Sequence, residues 1–206
     1  MAPNMAQKRA AKANRRKAML AEKRKAETVE SSLAGRVRRA AAGPIRHCLL
    51  QHTSMAGAGM GTLIVTRELA PGQLAMAAFL LDTFARGIKD AFLRPIGAQE
   101  FDDQLKVLQS GGPFAEIAPA DARKLLRDLR AWSASLGFAP HRDFAVVERV
   151  FGEVSTDASD AVFPFGNEGK PLLIEGAFDH PAEVERAIGR LEEARVPHSL
   201  PAPQIP

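Results

Sequence analysis

The chain has one cysteine, one tryptophan and no tyrosine among its 206 residues. The lone cysteine, Cys48, can neither close an internal disulfide nor supply a site of several thiolates, which fits a reducing compartment. No apolar run approaches the ~20 residues that span a bilayer. Together these absences predict a cytoplasmic protein without a membrane partner.

Aromatic side chains are few and confined to one part of the chain. All eleven phenylalanines lie between Phe79 and Phe178, mostly on apolar faces. Proteins that bind single-stranded nucleic acid need exposed aromatic platforms on which the bases stack. The sequence therefore predicts no base-specific recognition.

Charge is present in quantity and is unevenly distributed. The formal net charge is +4, but residues 1–46 carry 13 Lys or Arg against 3 Asp or Glu, and the remainder carries 15 against 21. A cationic arm of +10 thus precedes an acidic globule of −6. The arm is rich in Ala, Lys, Arg and Glu, which favour helix, but it has too few large apolar side chains to pack against a core. We expect it to be largely disordered or helical.

The leading hypothesis for function is that this arm binds RNA, DNA or a ribonucleoprotein through the phosphate backbone. Such binding is driven by the release of counterions and carries no sequence preference. Two alternatives remain for the arm, a solubilising tail and a tether within a protein complex. The oligomeric state is not predicted. The candidate contacts are the basic residues Lys8, Arg9, Lys12, Arg15, Arg16, Lys17, Lys23, Arg24, Lys25, Arg36, Arg38 and Arg39.

The most apolar stretch, residues 61–96, predicts the centre of the fold. Residues 62–69 and 74–81 indicate two strands, the second of them buried on both faces because it is almost continuously apolar. Between them, Pro71 and Gly72 favour a type II turn. We expect a helix to begin near Asp82 or Thr83.

The remaining patterns predict an α+β domain, an antiparallel sheet of two hairpins packed against about four helices. Residues 161–165 and 171–175 flank a glycine-rich connection and indicate the second hairpin. Helical periodicity covers residues 98–109, 119–136, 143–151 and 181–195. The predicted organisation is a basic arm over 1–43, a globular domain over 44–196 and a proline-rich disordered tail over 197–206.

Polar residues after the second strand raise an enzymatic alternative, a metal-assisted hydrolase or nuclease. Carboxylates can hold a divalent ion, a histidine can act as a base, and a lysine can stabilise developing negative charge. No cofactor is predicted otherwise, because the glycines at 57–61 precede a strand instead of following one. The candidate residues are Asp82, Asp90 and Asp143 as ligands, His141 as base and Lys89 as cation.

Two stretches, Phe79–Ala91 and Leu136–Phe144, resemble an uncharacterised family of bacterial proteins with no known activity. The resemblance runs over roughly residues 45–180 and implies that both stretches belong to one domain. Related chains carry a cysteine in the first stretch where this one has Ala85, which argues against thiol chemistry there.

Overall fold

The structure, a computed structural model, describes residues 31–51, 57–174 and 181–193, together with Lys17, Met19, Leu20 and Met55. It confirms the predicted α+β class, with a five-stranded antiparallel sheet and five α-helices in the described ranges. The strands are β1 (Ile45–Leu50), β2 (Met60–Ala70), β3 (Gln73–Asp82), β4 (Gly87–Gly97) and β5 (Ala115–Glu116). The helices are α1 (Leu33–Ala41), α2 (Ala98–Leu108), α3 (Pro119–Ser135), α4 (Phe144–Val147) and α5 (Pro181–Glu193).

The sheet runs in the order β4-β3-β2-β1-β5, and β3 is buried on both faces, as predicted. Side chains alternate across a strand, so its even and odd positions enter different layers. Ala75, Ala77 and Phe79 belong to the main core with α1, α3 and α4, whereas Met76 and Ala78 pack with Phe101 of α2. The predicted turn is also present, since Gly72 has φ +72° between the paired residues Ala70 and Gln73.

The prediction of a helix after Asp82 is wrong, because residues 83–86 form a turn that leads into β4. In the pairing of β3 with β4, Leu80 lies opposite Asp90 and Leu81 lies opposite Ile88. Lys89 is therefore one extra residue in β4, a β-bulge. The bulge places Ile88 and Ala91, three residues apart, in the same core layer. The sequence predicts a helix because Asp82, Arg86 and Lys89 or Asp90 are spaced as on one helical face, and the bulge at Lys89 produces part of that spacing.

The prediction of a hairpin over 161–175 is also wrong, because residues 161–174 form no strand and contain only isolated bridge residues, such as the pair Asn167 and Lys170. This segment bonds to the turn that follows β3. The N–H of Gly166 donates to Thr83 O at 2.9 Å, and the N–H of Leu172 donates to Phe84 O at 3.3 Å. The sheet does contain two hairpins, but they are β2–β3 and β3–β4.

Helix α1 falls inside the predicted arm but packs against the domain. Val37 and Ala40 are buried in the main core, and the hydroxyl of Ser32 caps the helix by accepting the N–H of Gly35 at 3.1 Å. The folded part of the chain therefore includes α1, which precedes the boundary drawn at residue 44.

The other four helices lie where the sequence predicts them, but α4 is shorter than expected. Helices α2, α3 and α5 start and end within two residues of the expected limits over their described residues. The helix expected over 143–151 divides into α4 and a 3₁₀ turn, Glu148–Phe151. No helix among the described residues is both long and apolar enough to cross a membrane.

Strand β4 ends the described sheet on one side, and part of its outer edge is occupied. The N–H of Ala91 donates to the Asp90 carboxylate at 2.7 Å, and the N–H of His141 donates to Ile88 O at 2.9 Å. Pro95 has no N–H to donate.

Cys48 lies in the main core, only 6% exposed, and burial raises the pKa of its thiol from 9.0 to about 12. Since the thiolate is the reactive form, we expect an aromatic disulfide reagent at pH 8 to label the native protein at least about a hundredfold more slowly than the chain in denaturant. Raising the pH to 9 should accelerate labelling of the unfolded chain and leave the native rate low. Rapid labelling of native protein with one equivalent of reagent would contradict this account.

Candidate functional site

The surroundings of the Asp82 carboxylate indicate a structural role, because it is buried and hydrogen-bonded to the backbone. Its side chain is 1% exposed, and Oδ1 accepts the N–H groups of Phe84 at 3.0 Å and Ala85 at 2.9 Å. Such bonds from an aspartate to the backbone two and three residues on stabilise a turn. Oδ2 accepts from Nε of Arg86 at 3.2 Å, and Nη2 of Arg86 also donates to Ile174 O at 2.6 Å. The carboxylate thus connects the turn after β3 to the segment before α5.

The other four residues of the predicted catalytic set lie near one another around His141. Nδ1 of His141 is 3.7 Å from Oδ1 of Asp90 and accepts the N–H of Asp143 at 3.4 Å. Asp143 occupies the N-cap position of α4 without a side-chain capping bond. Lys89 and His141 line the same cavity. The structure therefore brings Lys89, Asp90 and His141 together, with the backbone N–H of Asp143 beside His141. Asp82 is connected to this group only through its bond to Arg86, which lines the same cavity.

That cavity, which we call the cationic pocket, has a volume of about 300 Å³. It lies between the start of β4, the loop that follows α3, and α5. Its apolar lining includes Ile88, Phe138 and Pro140. Its charged or titratable lining consists of Arg86, Lys89, His141, Arg186 and Arg190, with no carboxylate among the lining residues.

Three of these cations were not identified from the sequence as site residues. Arg86 lies in the stretch for which the sequence predicts a helix and the structure shows a turn. Arg186 and Arg190 are four apart on α5, a spacing that places both on one side of a helix and is readable from the sequence. Nothing in the sequence indicates that this side meets β4 and the loop at 138–141.

A metal site formed from the predicted carboxylates has little support in this geometry. In the described ranges, no three His, Cys, Asp or Glu side chains are grouped so that they could hold a metal ion. Oxygen ligands to a divalent ion must converge on one point. The Asp82 carboxylate instead bonds to backbone N–H groups and to Arg86.

The predicted nucleic-acid contacts fall into two groups. Lys17 is helical and exposed, as are Arg38 and Arg39 on α1, while Arg36 is half-buried. Arg38 also lines a groove of about 350 Å³ that it shares with Arg149. The other eight contacts lie outside the described residues: Lys8, Arg9, Lys12, Arg15, Arg16, Lys23, Arg24 and Lys25.

No protein-family model, curated protein or solved structure matches the chain. The resemblance to a bacterial family stays a prediction, and the functional argument has to come from the residues of this chain.

Proposed function

We propose that the protein is a non-enzymatic accessory protein that binds the phosphate backbone of RNA or DNA through its N-terminal basic residues. The observation that carries the proposal is the charge separation, with +10 over residues 1–46 and −6 over the rest of the chain. A polyanion is attracted to the positive charge of residues 1–46 and repelled by the negative charge of the remaining chain. Binding is therefore directed to the arm.

Helix α1 supports this proposal because it places cations at the junction between the arm and the domain. Val37 and Ala40 hold one side of the helix in the core. Arg38 and Arg39 are exposed on its outer side, and Arg38 and Arg149 line the same groove. A backbone bound to the arm can continue along this side of the domain.

The test is the salt dependence of binding to a duplex of arbitrary sequence. In the full chain, the nine Lys or Arg residues of the first 32 are replaced by glutamine. Wild-type affinity should fall linearly with salt on logarithmic axes, with a slope of about −0.9 per phosphate contacted. The variant should bind at least about tenfold more weakly at low salt and with a shallower slope, because each lost contact removes about 0.9 from the slope.

The matched control changes charge in the opposite direction. Replacing Glu22, Glu27 and Glu30 with glutamine leaves the arm at full length and makes it more positive. This variant should bind more tightly than wild type. Equal affinity of all three proteins would contradict the proposal. So would an arm-dependent protein partner that is retained after complete nuclease digestion, which would favour the tether.

A further inference from the structure

One face of the sheet is incompletely covered by the described part of the chain. On this face Met76 and Ala78 pack with Phe101 of α2, while the main core lies on the other face. Contiguous exposed apolar patches on a folded protein mark sites where another molecule binds. Eight large apolar side chains are exposed among the described residues, and four of them border a single opening beside α2: Leu80, Phe92, Val107 and Leu108.

The opening, which we call the sheet groove, is a depression over Ala78. Strand pairing places Ala78 of β3 between Ile64 of β2 and Phe92 of β4, and its methyl group is much smaller than the side chains beside it. Val107 and Leu108, on the last turn of α2, form one wall of the same cavity. The volume of the sheet groove is about 530 Å³.

The size of the sheet groove fits a small molecule better than a protein. Small-molecule sites have volumes of roughly 300–1,000 Å³. The floor extends from Asp90 to Arg94 along β4, about 13 Å, and across three strands, about 10 Å, a footprint of roughly 130 Å². A specific protein interface takes about 800 Å² from each partner. The outer side of α2 does not extend the apolar surface, because Asp103 and Lys106 are exposed there and bonded to each other.

The polar groups at the two ends of the floor already have partners in this chain. The guanidinium of Arg94 donates to the side chain of Gln104 and, at 3.4 Å, to that of Glu100. The Asp90 carboxylate accepts a backbone N–H at 2.7 Å and lies 3.7 Å from Nδ1 of His141. Neither end therefore favours an ionised ligand over an uncharged one.

Phe92 indicates the chemistry of the ligand body. It is 41% exposed, and its ring contacts no other aromatic ring among the described residues. Aromatic rings in contact gain free energy beyond the burial of their area. We propose that the sheet groove binds an uncharged small molecule with an aromatic ring system, which lies over Ala78 and contacts Phe92. The site lies on β2, β3, β4 and α2, so it does not depend on the basic arm.

The experiment is a fluorescence titration of the full chain with N-phenyl-1-naphthylamine, an uncharged aromatic probe whose emission rises in apolar surroundings. Wild type should bind saturably, with one probe molecule per chain. Ala78→Leu fills the depression and adds apolar surface, and it should weaken binding at least about tenfold. Simple adsorption to an apolar surface would instead be unchanged or stronger. Urea unfolding checks that the variant is folded.

A second pair of variants keeps the test independent of a substitution in the floor. Leu80→Gln with Phe92→Gln changes two exposed side chains of the sheet groove. The matched control, Leu69→Gln with Val162→Gln, changes two exposed apolar side chains that do not line it. The groove pair should bind the probe at least about tenfold more weakly than wild type, and the control pair should bind it equally well.

Three results would overturn the proposal. The first is the absence of saturable probe binding by wild type, as expected if another segment of the chain covers the sheet groove. The second is equal binding by the groove pair and the control pair. The third is a wild-type dimer in sedimentation velocity that the groove pair converts to a monomer, because the occupant would then be a second copy.

Discussion

Replacing Arg67 with methionine should lower the free energy of unfolding by about 3–5 kcal/mol. Arg67 lies on β2, 8% exposed, and its guanidinium donates to three backbone carbonyls: Val150 O at 2.8 Å, Gly43 O at 2.7 Å and Phe151 O at 2.7 Å. Each carbonyl left buried without a donor costs about 1–3 kcal/mol. Urea unfolding monitored by Trp132 fluorescence measures the loss, provided that the denaturant dependence stays unchanged.

The geometry of Arg67 explains why one side chain has so large an effect. Two of its acceptors belong to the 3₁₀ turn after α4, and the third lies between α1 and β1. One guanidinium thus connects the sheet to two segments that border the same core layer. Burial lowers the pKa of Arg67, but an arginine starts high enough to remain charged at neutral pH.

Arg46→Met is the matched control, because it removes the same group from the neighbouring strand. The Arg46 side chain is 62% exposed, and its contact with Glu68 is 4.0 Å long. Exposed pairs of this kind contribute about 0–1 kcal/mol. If the two methionine variants were equally stable, Arg67 would not have the connecting role described above.

Replacing Asp82 with alanine should destabilise the fold by a comparable amount, about 3–5 kcal/mol. The change removes the acceptor of two buried N–H groups in the turn before β4. It also removes the carboxylate oxygen that accepts from Nε of Arg86, whose side chain is 11% exposed. Asp82→Asn keeps an oxygen for both N–H groups and removes only the charge, so its cost should be smaller, about 1–3 kcal/mol. Thermal and urea unfolding measure both variants.

Asp90→Ala is the control for Asp82, since the sequence named both as candidate catalytic carboxylates. The Asp90 side chain is 50% exposed. Its loss should cost about 1 kcal/mol or less. Equal destabilisation by alanine and asparagine at position 82 would contradict the turn role of Asp82, because only alanine removes the acceptor.

The sequence predicts the fold where the signals are local. Pro71 and Gly72 define a turn between two apolar segments, and helices α2, α3 and α5 show their own periodicity. The prediction fails where a tertiary contact overrides the local pattern. The extra residue Lys89 makes a strand resemble a helix, and residues 161–174 bond to the turn after β3 instead of to one another.

The candidate site could be predicted only in part for the same reason. Lys89, Asp90, His141 and Asp143 stand out as chemically capable residues, and the first three lie together with the backbone N–H of Asp143 beside them. The role of Asp82 depends on which donors surround it in space, and that of Arg67 depends on carbonyls more than 80 residues away. Arg186 and Arg190 look like the solvated face of a helix until α5 is placed against β4. These relations exist only in the folded chain.

The outer edge of β4 has a consequence for the behaviour of the protein at high concentration. An exposed edge strand offers N–H and C=O groups to a strand of another molecule, and from such contacts ordered aggregates grow. In this chain the Asp90 carboxylate occupies the N–H of Ala91, the N–H of His141 occupies Ile88 O, and Pro95 has no donor. At the opposite end of the sheet, β5 is only two residues long. These features make both ends of the described sheet weaker templates for intermolecular pairing than a long strand with a fully open edge would be.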